Sequence, residues 1–183
     1  MAKQNVYDDL EPRIHKRIAE AVADAVPVLD IACGDGRLLG FIASGSGCNT
    51  YGVDISVSHL TAAREKAATL GISHLVLLAA GNAQKLCFLD ESFGSLIMLY
   101  ALHEIQHLPP ALEEARRVLR PGGKLIVVDP VKGGKAETLW RENYYGMEEI
   151  ESMLTYAGFS ELASDFLYDD ILFVSAQKGP DLN

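Results

Sequence analysis

Apolar and polar positions in this chain alternate between two spacings. Ile14, Ile18, Ala21, Val22 and Ala25 recur at helical intervals over residues 10–26, which predicts an amphipathic helix ended by Pro27. The next apolar run, broken only by Asp30, predicts a strand over 28–32 that turns through Gly34 and Gly36 into a helix over 36–44. Strand 50–55, helix 58–70 stopped by Gly71, and strand 75–80 follow. Residues 95–100 are nearly all apolar, as a strand covered on both faces must be, and 110–119 read as a helix with Pro110 in its first turn. A fifth strand over 124–128 and a helix over 147–157, ended by Gly158, come next. Two closing strands, 162–168 and 171–176, are separated only by Asp169 and Asp170, so they pair antiparallel. Alternation of strand and helix before them implies parallel strands joined by crossover helices, an α/β fold.

Composition narrows the class. A chain of 183 residues is one domain's worth of core. It divides into a helical arm over 1–26, a core over 27–130 and a helix with the strand pair over 131–183. The 25 acidic against 16 basic residues give a net charge of -9, which argues against the basic footprint that nucleic acid requires. Cys33, Cys48 and Cys87 form no even set and no C-x-x-C pair, so neither a disulfide framework nor a zinc ribbon is indicated and a reducing compartment is expected. Asp8, Asp9 and Glu11 stand where a leader would be apolar, and the longest apolar run, 96–102, is too short for a bilayer. A soluble, cytoplasmic protein without a membrane partner is expected.

Candidate chemistry starts at Val28-Leu29-Asp30-Ile31-Ala32-Cys33-Gly34-Asp35-Gly36. Two glycines in a strand-to-helix turn let a ligand approach the backbone directly. Tyr51-Gly52-Val53-Asp54-Ile55 ends the next strand with a carboxylate, where doubly wound folds meet ribose hydroxyls. The dinucleotide spacing G-x-G-x-x-G fails, because Arg37, Leu38 and Leu39 separate Gly36 from Gly40, and no phosphate loop occurs. A nucleoside without a pyrophosphate fits better.

These residues resemble the class I S-adenosylmethionine-dependent methyltransferases, whose first motif runs V-L-D-x-G-x-G-x-G. The resemblance continues through Gly81-Asn82-Ala83-Gln84-Lys85-Leu86-Cys87-Phe88, similar to the family's adenine segment, and Leu119-Arg120-Pro121-Gly122-Gly123-Lys124-Leu125, similar to its turn into the fifth strand. It implies a Rossmann-like doubly wound sheet of seven strands in the order 3-2-1-4-5-7-6, the last antiparallel, with helices on both faces. It implies S-adenosylmethionine as cofactor, with S-adenosylhomocysteine as product. By the same resemblance Asp30 would order the loop and serve the methionine amino group, with Ala32, Cys33, Gly34 and Gly36 around the methionine end. Asp54 would take the ribose, Ile55, Asn82 and Ala83 the adenine, and Tyr100 would also contact the cofactor. Ala32 stands where the family usually has glycine, and Asn82 where it more often has Asp.

The expected reaction is methyl transfer to oxygen, nitrogen or sulfur of a small molecule. His103 and Glu104, after the fourth strand, are the catalytic candidates, His103 being equally readable as packing. Tyr7, Trp140, Tyr144 and Tyr145 are candidate acceptor contacts, since aromatic faces suit a sulfonium or a flat ring, or else they pack the arm onto the sheet. His15, His59, His74 and His107 read as ordinary surface or helix residues. His103-Glu104-Ile105-Gln106-His107 matches H-E-x-x-H literally, but Pro109-Pro110 follows at once and disfavours the continuing helix that zinc ligation needs, so no metal is expected. A noncatalytic adenosyl-binding module is the main alternative, and a spermidine-synthase-like transferase lacks its acidic motif here. The link over 131–146 leaves little chain for a lid, so the site is open or completed by a second subunit in a homodimer.

Overall fold

The computed structural model describes residues 9–179. Helix α1 (Glu11–Val22) precedes β1 (Val28–Ile31), α2 (Arg37–Ser46), β2 (Thr50–Asp54), α3 (Val57–Thr69) and β3 (Val76–Ala80). Then come β4 (Phe93–Leu99), a short 3-10 turn (Leu102–Glu104), α4 (Leu108–Val118), β5 (Leu119–Pro130), α5 (Lys135–Trp140), α6 (Met147–Tyr156), β6 (Phe159–Tyr168) and β7 (Ile171–Lys178). The seven strands form one sheet in the order β3-β2-β1-β4-β5-β7-β6, with β7 antiparallel to both neighbours. The class and strand order expected from the sequence are those observed.

Apolar burial follows the predicted faces. Ile14, Ile18 and Val22 of α1 pack with Leu38 and Ile42 of α2 over Val28, Ile97, Ile126 and Phe173 on one face of the sheet. On the other, Leu112 and Ala115 of α4 and Ile150 and Leu154 of α6 cover Leu29, Leu96, Leu125 and Leu172. β1 is buried at all four positions, as a central parallel strand must be.

Three elements differ most from the pattern. β5 begins at Leu119, because the chain leaves α4 directly into a strand that kinks at Gly122 (φ 71°), where pairing with β4 slips between Phe93 and Ser95. The bulge hides the early residues from any alternation. β6 begins at Phe159 for the same reason, its register on β7 shifting between Ser160 and Ala163. Helix α5 has no sequence signal at all, since within its six residues only Ala136 is buried and a periodicity needs more than one turn.

Candidate active site

The sheet order reverses between β1 and β4, and there the strand ends open into a cleft of about 710 Å³. Its floor is the turn leaving β1, where Ala32 and Gly34 take positive φ of 59° and 52°. Gly34 suits that conformation, while Ala32 carries a methyl group into it, the kind of local strain that gathers at ligand sites. The carboxylate ending β2 fixes the loop. Asp54 Oδ2 accepts the Gly34 N–H at 2.8 Å, and Oδ1 accepts the Ser56 N–H at 2.8 Å. Oδ2 keeps a second lone pair for a ribose hydroxyl. Asp54 therefore has a structural duty that its place at a strand end does not reveal.

Asp30 is 2% exposed, and its Oδ1 has no hydrogen-bond partner among the described residues. Burial, and then the charge of Asp54, push its carboxyl well above the usual carboxylate range. A buried acid left this way is completed by a cation, and the ammonium of a methionine moiety fits the donor set. At the opposite end Ile55 is 78% exposed on the cleft wall, offering an apolar face to a purine. Asn82 and Ala83 stand beside it, Asn82 Oδ1 accepting the Gln84 N–H at 2.9 Å with a lone pair to spare. Cys33 also lines the cleft, its thiol kept protonated by burial against Leu39 and Leu60. These residues fit S-adenosylmethionine.

Gly36 is not among the residues lining the cleft, and a Cβ there would stand 2.8 Å from the Ala63 Cβ, so this glycine serves the packing of α2 on α3. Tyr100 (φ 54°) and Glu104 do line the cleft, beside Ile105, Gln106 and His107.

His103 is not among the residues that line the cleft. Its backbone N–H donates to Asp129 Oδ2 at 3.1 Å, its ring Nδ1 meets Asp129 Oδ1 at 2.7 Å, and Nε2 is 3.7 Å from Glu142 Oε2. Tyr144 packs against the ring at 4.5 Å between centroids, and its hydroxyl donates to the same Glu142 oxygen at 3.0 Å. Burial pulls the imidazole pKa down, but the hydrogen bond and charge of Asp129, with Glu104 and Glu142, outweigh it, and the net shift is upward. The group is a fastening between β4, β5 and the segment after α5. Tyr144 is buried in the core on the α1 side, Trp140 packs half-buried on that core and Tyr145 on the opposite one. None of the three lines the cleft; their rings pack on the two cores instead. Tyr7 lies outside the described residues.

The H-E-x-x-H match has no helical geometry. His103 and Glu104 sit in the 3-10 turn, Ile105 is extended (φ -81°, ψ 108°), and His107 caps α4, whose first turn holds both prolines. Two ligands on one helical face cannot arise from that path. Among the described residues no group of three or more His, Cys, Asp or Glu is placed to hold a metal ion, and no helix is long and apolar enough to cross a membrane.

Sequence reasoning passed over Glu11, His15, Arg37 and His59, all on the cleft wall. His59 Nδ1 is 3.4 Å from Asp54 Oδ1. Arg37 Nη1 donates to Glu11 Oε2 at 2.9 Å and so ties α1 to α2. The available signal was the four-residue spacing of Glu11 and His15 beside the apolar stripe of α1.

A strand-switch cleft with a glycine loop, a strand-end acid and an unsatisfied buried carboxyl defines an α/β nucleoside-cofactor protein. Residues 29–127 match the family described as "Methyltransferase domain". The chain is 34% identical over 140 residues to the "Sterol 4-C-methyltransferase strm-1" of Caenorhabditis elegans, covering 75% of this chain and 42% of that protein. It is 30% identical over 158 residues to the "Ubiquinone/menaquinone biosynthesis C-methyltransferase UbiE" of Bartonella tribocorum, covering 85% and 59%. The chain thus spans about half the length of these curated relatives. In fold it matches a SAM-dependent methyltransferase from Aquifex aeolicus with a TM-score of 0.72 at 24% identity, covering 82% of this chain and 81% of that one. The chain belongs to the class I S-adenosylmethionine-dependent methyltransferase family.

Proposed function

We propose that this protein transfers the methyl group of S-adenosylmethionine to a small molecule carrying a hydroxylated ring, at the oxygen or at a ring carbon. The observation that carries the reading is the pairing, in one cleft, of the unsatisfied Asp30 carboxyl with the glycine loop that Asp54 pins. Carbon enters because both curated relatives bear names that make them C-methyltransferases, which widens the oxygen, nitrogen or sulfur acceptor expected from the sequence. When bound, the cofactor supplies a methyl group on a sulfonium, an activated leaving group.

The chain's own work is placement. Asp30 would hold the ammonium, Asp54 the ribose hydroxyls, and Ile55 the purine face. Orientation of this kind is worth up to about 7–11 kcal/mol of the barrier in well-aligned cases. The apolar side chains of Leu38, Leu99 and Ile105 on the same wall give a flat acceptor ring somewhere to lie. Labelled-methyl transfer to a panel of phenols, hydroquinones, amines and thiols tests the proposal. Label in a phenol or hydroquinone supports it; label confined to amines or thiols refutes the acceptor class, and cofactor binding without transfer to any acceptor would favour a noncatalytic module.

A further inference from the structure

Two polar side chains on the cleft wall end in buried atoms that lack a partner among the described residues: Asp30 Oδ1 and His15 Nε2. The donor's ammonium accounts for the first. Nothing in the donor accounts for the second. His15 is 6% exposed, its ring tilted on Phe41 at 5.7 Å, and its Nε2 stops 3.9 Å from Glu11 Oε1, beyond hydrogen-bond reach. Glu11 is held at its other oxygen by the half-exposed Arg37 at 2.9 Å, so its hydrogen bond goes to the guanidinium and not to Nε2.

We propose that His15 is the proton acceptor for the methyl acceptor, its Nε2 receiving the proton of a phenol-class hydroxyl bound on the α1 side of the cleft. The assignment rests on the methyl-transfer reading above. As the O–H bond breaks, the proton passes to Nε2. The oxygen's electron pair, directly or through the ring at carbon, forms the new bond to the methyl carbon. The methyl–sulfur bond breaks with its pair left on sulfur, so the acceptor gains one methyl and loses one proton, and the imidazolium then yields that proton to water.

Charge around the ring supports the role. Burial lowers the His15 pKa; Glu11 raises it, Arg37 lowers it, Asp35 raises it and Lys66 lowers it, and the net shift is downward. The imidazole is therefore neutral near pH 7 and free to take a proton. A base of that strength suits a phenol, with a pKa of about 10, rather than an aliphatic alcohol, and an amine attacks through its own lone pair. His103 is not placed to take that proton: its Nδ1 is engaged by Asp129 and the residue is not on the cleft wall.

The test is carbon-13 NMR of the full chain with labelled histidine Cε1, saturated with S-adenosylhomocysteine and titrated with 2-naphthol. The His15 signal is assigned by its loss in His15→Gln. It should titrate below the ordinary value of 6.5, move when 2-naphthol binds, and respond at least ~10-fold more weakly to 2-methoxynaphthalene, which has no proton to give. Because His15→Gln alters a buried position, Glu11→Gln provides a variant that leaves the imidazole in place, and its His15 signal should titrate lower still. In turnover, His15→Gln should lose ~10²–10⁴-fold with S-adenosylhomocysteine affinity kept. A His15 signal that titrates at or above 6.5, or that stays unmoved by 2-naphthol while the homocysteine ligand is bound, overturns the assignment. Failure to bind S-adenosylhomocysteine at all would instead remove the methyl-transfer reading on which it stands.

Discussion

Two buried histidines flank this cleft, and they are opposites. His103 meets Asp129 at 2.7 Å, while His15 stops 3.9 Å short of Glu11. The first pair is closed, with both oxygens of Asp129 engaged by the ring and the backbone of His103. The second is open, with Glu11 held outward by Arg37. Burial alone penalises the imidazolium; a carboxylate at bonding distance reverses that penalty. One residue type thus yields a fastening in one place and a reactive group in the other, and the deciding quantity is little more than an ångström.

The largest effect should come from breaking the closed pair. Asp129→Ala leaves His103 in a site built around a countercharge, and unfolding in urea should report a loss of about 3–5 kcal/mol. A loss no greater than that of an exposed ion pair would mean that the strand ends do not need this fastening. Arg37–Glu11, with the guanidinium half exposed, is the internal standard, worth no more than about 0.5 kcal/mol after solvent screening.

Asp54→Ala comes next. It should weaken S-adenosylhomocysteine binding by about 1.5–3 kcal/mol through lost charge-assisted hydrogen bonds. It should also lower stability, because the Gly34 and Ser56 N–H groups lose their acceptor. Unchanged stability would make the loop self-supporting, and unchanged affinity would remove Asp54 from the site.

The smallest effect is on pH dependence, where the two histidines should act with opposite signs. His103 has a raised native pKa, so its contribution is fully present below the unfolded value of 6.5 and is lost as pH rises through the native one. For His15, whose native pKa is lowered, stability is present above 6.5 and is lost as pH falls through the native value. Stability curves of His103→Gln and His15→Gln should flatten on the alkaline and acid sides respectively. Flattening on the same side in both variants would erase the distinction between the pairs.

What the sequence displayed and what it concealed divide along the same physical line. Period and glycine placement expose the strand order, because a central strand such as β1 must be apolar on both faces and a turn at Gly34 must relieve positive φ. The place of Asp30, Asp54 and Asn82 on the cleft wall was legible, because β1, β2 and the turn after β3 deliver them there wherever the helices lie. His15 was not. Its burial depends on how α1 packs on α2, where Glu11 meets Arg37 and the His15 ring meets Phe41, contacts across two elements. For His103 the sequence leaves a base and a packing role equally open, because the group that holds its ring, Asp129, stands 26 residues away on β5. For Trp140, Tyr144 and Tyr145 the sequence leaves acceptor contact and packing equally open, because it cannot tell a ring that faces a ligand from one that packs on the sheet.

The central claim is that this cleft is built for an adenosyl-amino-acid cofactor whose ammonium completes Asp30. Calorimetry of S-adenosylhomocysteine across a series of buffers and pH values tests it most directly. One site per chain is expected, with a dissociation constant in the micromolar range, about -8 kcal/mol. Since Asp30 starts with its pKa raised by burial and ionises when paired, binding should release a proton increasingly as pH is lowered, an effect absent in Asp30→Asn. Binding with no proton release at any pH, or no binding while NAD binds tightly, would contradict the account.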